Sequence, residues 1–181
     1  MDHRYVIISG LPATGKSRLG RTLSQHLGWP LLSKDLIKEA LADSLGLGDE
    51  AWSSRLSEAA MEVLHRVARA SASAILDANF KEERDRDWLA SLPGPKVQIF
   101  CHAPPEVLAE RLVTRATSGR HPIHRDAMAP EQMAAAVRAQ ARTSTPIRLD
   151  VPTLSVDTSL PTDATGILTW VRASLRGRTG V

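Results

Sequence analysis

Tyr5-Val6-Ile7-Ile8-Ser9-Gly10-Leu11-Pro12-Ala13-Thr14-Gly15-Lys16-Ser17 is the stretch on which the reading of this 181-residue chain turns. Its first five residues, rich in β-branched aliphatics and closed by a glycine, predict a buried strand. Leu19, Leu23 and Leu27 then recur at i, i+4 and i+8, one face of a helix that Gly28 ends.

Between that strand and that helix, Gly10 to Ser17 follow the pattern G-x-x-x-x-G-K-[ST]. Each fixed position has a physical task. Glycines let the backbone approach an anion closely, and the amino end of the helix presents unpaired N–H groups to it. The lysine meets the outer phosphates and the hydroxyl holds Mg2+. A strand directly before and a helix directly after distinguish a binding loop from a chance match in a turn. Gly10, Leu11, Pro12, Ala13, Thr14, Gly15, Lys16 and Ser17 are therefore expected to bind ATP, with Ser17 on the metal.

Outward from the loop, apolar runs alternate with helical patterns, which predicts an α/β protein with a mostly parallel sheet. Trp29 to Ser33 read as a second strand, followed by a helix from about Asp35 to Leu45 and a turn at Gly46-Leu47-Gly48-Asp49. A longer helix then places Trp52, Leu56, Ala60, Val63, Leu64 and Val67 at helical spacing, as a core-packing stripe. Ser73 to Asp77 and Val97 to Cys101 read as the third and fourth strands, with a charged helix and the Pro93-Gly94-Pro95 break between them. A helix begins near Pro104 and Pro105 and runs through Arg115. The polar, glycine- and proline-punctuated segment at about 117–127 reads as a mobile lid. A helix near 130–142, a strand from Val151 to Val156 and a helix from Ile167 to Leu175 complete one domain over residues 1–181.

Composition bounds the partners. Hydrophobic residues make up 43% and charged residues 24%, as in ordinary soluble domains. Aromatic residues are only 4%, so platforms for stacked bases are scarce. A net charge of +3 suits an anionic ligand but is too small to indicate nucleic acid. Cys101 is the only cysteine, which excludes an internal disulfide and, with no apolar run long enough for a signal or a membrane span, leads to the expectation of a cytoplasmic protein. The histidines at 121 and 124 lack the thiol partners of a zinc site.

The chain resembles the P-loop kinase group that includes zeta toxins, chloramphenicol phosphotransferase and the kinase domain of polynucleotide kinases. Four segments carry the resemblance: GLPATGKS from Gly10, LLSKDLIKEAL from Leu31, AILDANF from Ala74, and ERLVTRATSGRHP from Glu110. It implies the P-loop NTPase fold, five parallel strands in the order 2-3-1-4-5 with helices on both faces and a short lid. It also implies roles. Asp35 matches the carboxylate beside the acceptor hydroxyl, a candidate base whose plainer role is a helix N-cap. Lys38, Asn79 and Arg84 match segments that face the acceptor, and residues from about 35 to 67 would enclose it. Asp77, ending the third strand, matches a carboxylate that reaches Mg2+. Arg111 would stack on adenine and Arg115 approach the phosphates, while Arg120 would add charge neutralisation once the lid closes. Asp157-Thr158-Ser159 fall where related kinases complete the adenine pocket.

The expected activity is transfer of the γ-phosphoryl group of ATP to a hydroxyl of a small-molecule acceptor. A polynucleotide 5′-hydroxyl kinase is the alternative that uses the same residues, nucleic acid being a less favoured partner. A nucleotide-dependent switch is the third, although no N-K-x-D pattern for guanine is present.

Overall fold

The computed structural model describes residues 3–124 and 129–176. Five strands, β1 (Arg4–Ser9), β2 (Leu31–Ser33), β3 (Ser73–Asp77), β4 (Lys96–His102) and β5 (Thr153–Asp157), form one sheet in the order β2-β3-β1-β4-β5. All of its pairings are parallel. The helices are α1 (Lys16–Leu27), α2 (Lys34–Leu45), α3 (Glu50–Ala70), α4 (Glu82–Ser91), α5 (Pro105–Thr117), α6 (Pro130–Ala141) and α7 (Ala164–Arg176).

A parallel sheet must be covered on both faces, and β1 shows how the sequence arranges this. Tyr5 and Ile7 join a cluster with Met61, Leu64 and Ala68 of α3 and Leu89 of α4. Val6 and Ile8 point the other way, into a cluster with Leu19 and Leu23 of α1 and Ile167 and Val171 of α7. All four β1 side chains are fully buried, each aliphatic one contributing about 1.5–3 kcal/mol. The one polar tip among them is satisfied, because the Tyr5 hydroxyl donates to Ala68 O at 3.0 Å.

The register brings the carboxyl ends of the strands level. Ile8 and Ser33 both pair with Asp77, Ser9 pairs with Phe100 and His102 with Asp157. Leu11 and Ala13 of the loop pack against a third cluster built from α5 and α6, around Leu108, Leu112 and Val137. The α5–α6 pair thus supports the loop.

The long helix departs from its expected core stripe. Leu56, Ala60 and Leu64 are buried as read, joined by Met61 and Ala68, but Val63 and Val67 remain 39% and 41% exposed. A helix lying on one face buries a single stripe, and these two valines fall just beside it. Trp52 is only half-buried. The segment read as a lid is described as far as His124. Thr117 closes α5, and residues 118–124 are docked on α2 and α3 through Arg120, His121, Ile123 and His124. Positions 125–127 of the expected lid lie outside the described residues.

Candidate active site

Gly10, Ala13 and Gly15 adopt backbone shapes that most side chains resist. Gly10 has φ +135°, and a Cβ there would stand 2.1 Å from the carbonyl oxygen of Cys101. Ala13 has φ 64° and Gly15 φ 77°, so the loop curls before α1 begins at Lys16. Thr14 Oγ1 and Lys16 Nζ each donate to Leu11 O at 2.7 Å, which folds the lysine across the loop. Burial pushes the Lys16 ammonium below its ordinary value; the carboxylates of Asp77 and Asp35 and the Cys101 sulfur oppose that, while Arg115 adds to it.

Around the loop opens a cleft of about 440 Å³. Pro12, Ala13, Gly15, Lys16 and Ser17 form one side, and Lys34, Asp35, Asp77 and Asn79 another. Arg111, Arg115 and Arg120 complete it, so the loop, both expected carboxylates and all three expected arginines meet in one space. Seven lysine and arginine side chains among its lining residues face two aspartates, an imbalance that suits a polyanion.

Asp77 is 3% exposed, and its Oδ2 accepts from Ser33 Oγ at 3.1 Å. Ser33 stands at the N-cap position of α2 yet makes no capping bond, because its hydroxyl is directed to Asp77. Asp35 is therefore not the cap; it is the second residue of the helix, and its Oδ2 accepts from Arg120 Nη2 at 2.9 Å. Burial raises the Asp35 carboxyl, but His124, Arg120 and Lys34 together outweigh it and hold the group below its ordinary value.

Arg111 is pinned to the turn after β5, with Nη2 donating to Thr158 O at 2.7 Å and Nη1 to Thr158 Oγ1 at 3.2 Å. Thr158 is held in turn by its N–H on His102 O. The planar guanidinium is thereby oriented in the cleft wall.

Two expected acceptor contacts are placed elsewhere. Lys38 is buried and does not line the cleft; its Nζ donates to Ser53 Oγ at 2.8 Å and Ile123 O at 3.3 Å, tying α2 to α3 and to the docked segment. Arg84 forms a two-pronged pair with the fully buried Asp85, both N···O distances being 2.7 Å. It lines a neighbouring cavity of about 260 Å³ with Ser57, Met61 and His65, which meets the cleft at Lys34. Arg18 and Arg21, on the first turns of α1, line the cleft without having been singled out, as do Lys34 and His124. The signal for the first two was a cation repeated at i+3 on the helix that follows the loop.

The match to known proteins agrees with this geometry. Residues 6–140 match the family model described as AAA domain. A candidate kinase of Chloroflexus aurantiacus, known from its crystal structure, is 31% identical over 97% of this chain and all of its own, with a TM-score of 0.85. A gluconokinase from Sinorhizobium meliloti (18% identity, 96% and 91% of the two chains, TM-score 0.60) and a shikimate kinase from Acinetobacter baumannii (14%, 98% and 96%, TM-score 0.54) share the fold. No curated protein sequence matches. The P-loop in its strand–helix setting, the 2-3-1-4-5 parallel sheet and the match over three quarters of the chain lead to one conclusion: this chain belongs to the AAA domain family and has the fold of the P-loop kinases.

Proposed function

We propose that this protein is an ATP-dependent phosphotransferase that moves the γ-phosphoryl group to a hydroxyl of a small-molecule acceptor. One observation carries the reading: Asp35 opens into the same cleft as Lys16, Ser17 and Asp77. A switch needs only the last three. A carboxylate facing the phosphate loop from a separate helix adds a proton acceptor for an incoming hydroxyl.

Each residue then has a task. Lys16, Arg115 and Arg120 neutralise the charge on the transferred group, and Arg111 offers a fixed plane to the base. Ser17 and Asp77 supply hard oxygen donors, the type Mg2+ selects, and would hold the ion with phosphate oxygens and water filling its remaining positions. Held by these residues, Mg2+ would supply positive charge to offset that of the phosphates. Asn79, exposed at the rim of the cleft, and Lys34 flank the acceptor side. A cleft of about 440 Å³ accommodates a nucleotide with a small partner. The segments quoted from the sequence support a place near the zeta toxins and chloramphenicol phosphotransferase.

An acceptor screen with labelled ATP, followed by Asp35→Asn on the best acceptor, tests the reading. The substitution keeps the shape of the side chain and removes the basic oxygen. ATP affinity should change little and transfer should fall by a factor of about 100 to 10,000. Transfer at the wild-type rate would remove Asp35 from the chemistry.

A further inference from the structure

Helix α2 presents carboxylates at i, i+4 and i+8: Asp35, Glu39 and Asp43. All three meet basic side chains of residues 120–124. Arg120 Nη2 lies 2.9 Å from Asp35 Oδ2, His124 Nε2 2.6 Å from Glu39 Oε1, and His121 Nε2 3.1 Å from Asp43 Oδ1. The middle rung is shared, since Arg120 Nη1 is also 3.5 Å from Glu39 Oε1. Between the polar contacts, Ile123 is buried among Ala42, Leu56, Leu41 and Trp52, and its carbonyl accepts from Ser53 Oγ at 3.1 Å.

The rungs are not equivalent. Asp43 is mostly exposed, and exposed pairs of this kind contribute little. Glu39 and His124 are largely enclosed, and Arg120 beside them keeps only 15% of its side chain exposed. Burial holds His124 below its ordinary value, the charge of Arg120 acts the same way, and Asp35 and Glu39 oppose them. A carboxylate only accepts, which assigns the Nε2 proton to the bond with Glu39. Glu39 does not line the cleft, yet it sits directly behind Arg120, which does.

We propose that Glu39 is a positioning residue for the transfer centre: by holding Arg120 and His124 on one carboxylate, it fixes the lid cation against Asp35 within the cleft. The proposal rests on the kinase reading above. Both N–H groups reach the same oxygen, Oε1, so Glu39→Gln keeps an acceptor there but removes the negative charge that draws Arg120 and His124 together, and the hold on Arg120 beside Asp35 weakens.

The test uses MgATP with water as the acceptor, measured in wild type, Glu39→Gln, Arg120→Ala and the double variant, alongside hydrogen exchange over residues 118–124. Glu39→Gln is expected to lower turnover by about 10- to 100-fold with KM for ATP within roughly twofold, because a small misplacement of a charge-stabilising group acts on the transition state. Exchange in the docked segment should quicken by roughly tenfold while β1 is unchanged. In the Arg120→Ala background, Glu39→Gln should add no further loss. Wild-type turnover in Glu39→Gln, or losses that multiply in the double variant, would overturn the proposal while leaving the kinase reading intact. Wild-type protein that does not bind MgATP in calorimetry would overturn the kinase reading and the proposal together.

Discussion

Replacing Gly10 with alanine measures how tightly the phosphate loop is locked to the sheet. The backbone at Gly10 has φ +135°, where a side chain costs about 1–3 kcal/mol. The added methyl would also stand 2.1 Å from Cys101 O, whereas carbon–oxygen contacts settle at about 3.3 Å or more. Roughly 1 Å of movement is needed, and the obstacle is the backbone of β4 rather than a flexible side chain. Opening β1 from β4 just past the Ser9–Phe100 register loses one or two hydrogen bonds at about 1 kcal/mol each. The combined cost is on the order of 2–5 kcal/mol. Gly28→Ala is the control. It shares a positive φ, +68°, but nothing lies within 4 Å of its added carbon. Its left-handed penalty of about 1–2 kcal/mol is partly offset in the unfolded chain, leaving about 1. Urea titration followed by tryptophan fluorescence, with unchanged m-values, gives both numbers, and MgATP calorimetry tests the loop. If Gly10→Ala were as stable as Gly28→Ala, or bound MgATP like wild type, the account of the loop's anchorage would be wrong.

Lys16→Ala should reduce ATP-dependent turnover by a factor of about 100 or more, since the outer phosphates lose their buried cation; a rate near wild type would dissociate the loop from the activity. Burial pushes the Cys101 thiol up to about 12, so it should resist thiol reagents at pH 8 in the folded protein and react once per chain in denaturant. Native labelling at the unfolded rate would contradict its burial. For His124, the folded value lies below the ordinary one, so between the two the unfolded chain binds more protons and stability rises with pH. The neutral form's advantage is full above about pH 6.5 and is lost as pH falls through that window. His65, lowered by burial, acts in the same direction. Tm should therefore drop from pH 7.5 to 5.5, with a shallower slope in His124→Gln; an unchanged slope would show that His124 does not titrate in this way.

The sheet was legible in the sequence because each strand is a short apolar run closed by a residue with one evident task. Lys16 follows from the loop pattern, whereas the places given to Asp35 and Asp77 come from the resemblance to the P-loop kinases, and the strand pattern alone puts them only near the carboxyl ends of β2 and β3. Lys38 was not legible as a structural tie. Its partners lie 15 and 85 residues away, at Ser53 and Ile123, and no local pattern announces a lysine that spends its charge inside the fold. The docking of residues 118–124 is hidden for the same reason: glycine, proline and charge mark a loop, whereas the acidic row that receives it lies on another helix. Val63 and Val67 show the converse limit, because periodicity locates a stripe but not its edges.

The attachment of α2 and α3 to the sheet has an evolutionary consequence. Ser33 and Asp77 join a three-residue edge strand to the interior, and everything from Lys34 to Ala70 is inserted beyond that point. Loop, lysine and Asp77 belong instead to the central strands, whose side chains are locked on both faces. Among the described residues, α2 and α3 meet the sheet and the cleft through the Ser33 junction, the α3 face against the sheet, Lys34 and the rungs at 35 and 39. On the proposed kinase reading, a lineage that keeps those points could exchange the rest of α2 and α3, and with it the acceptor, while the loop and its strands are inherited intact.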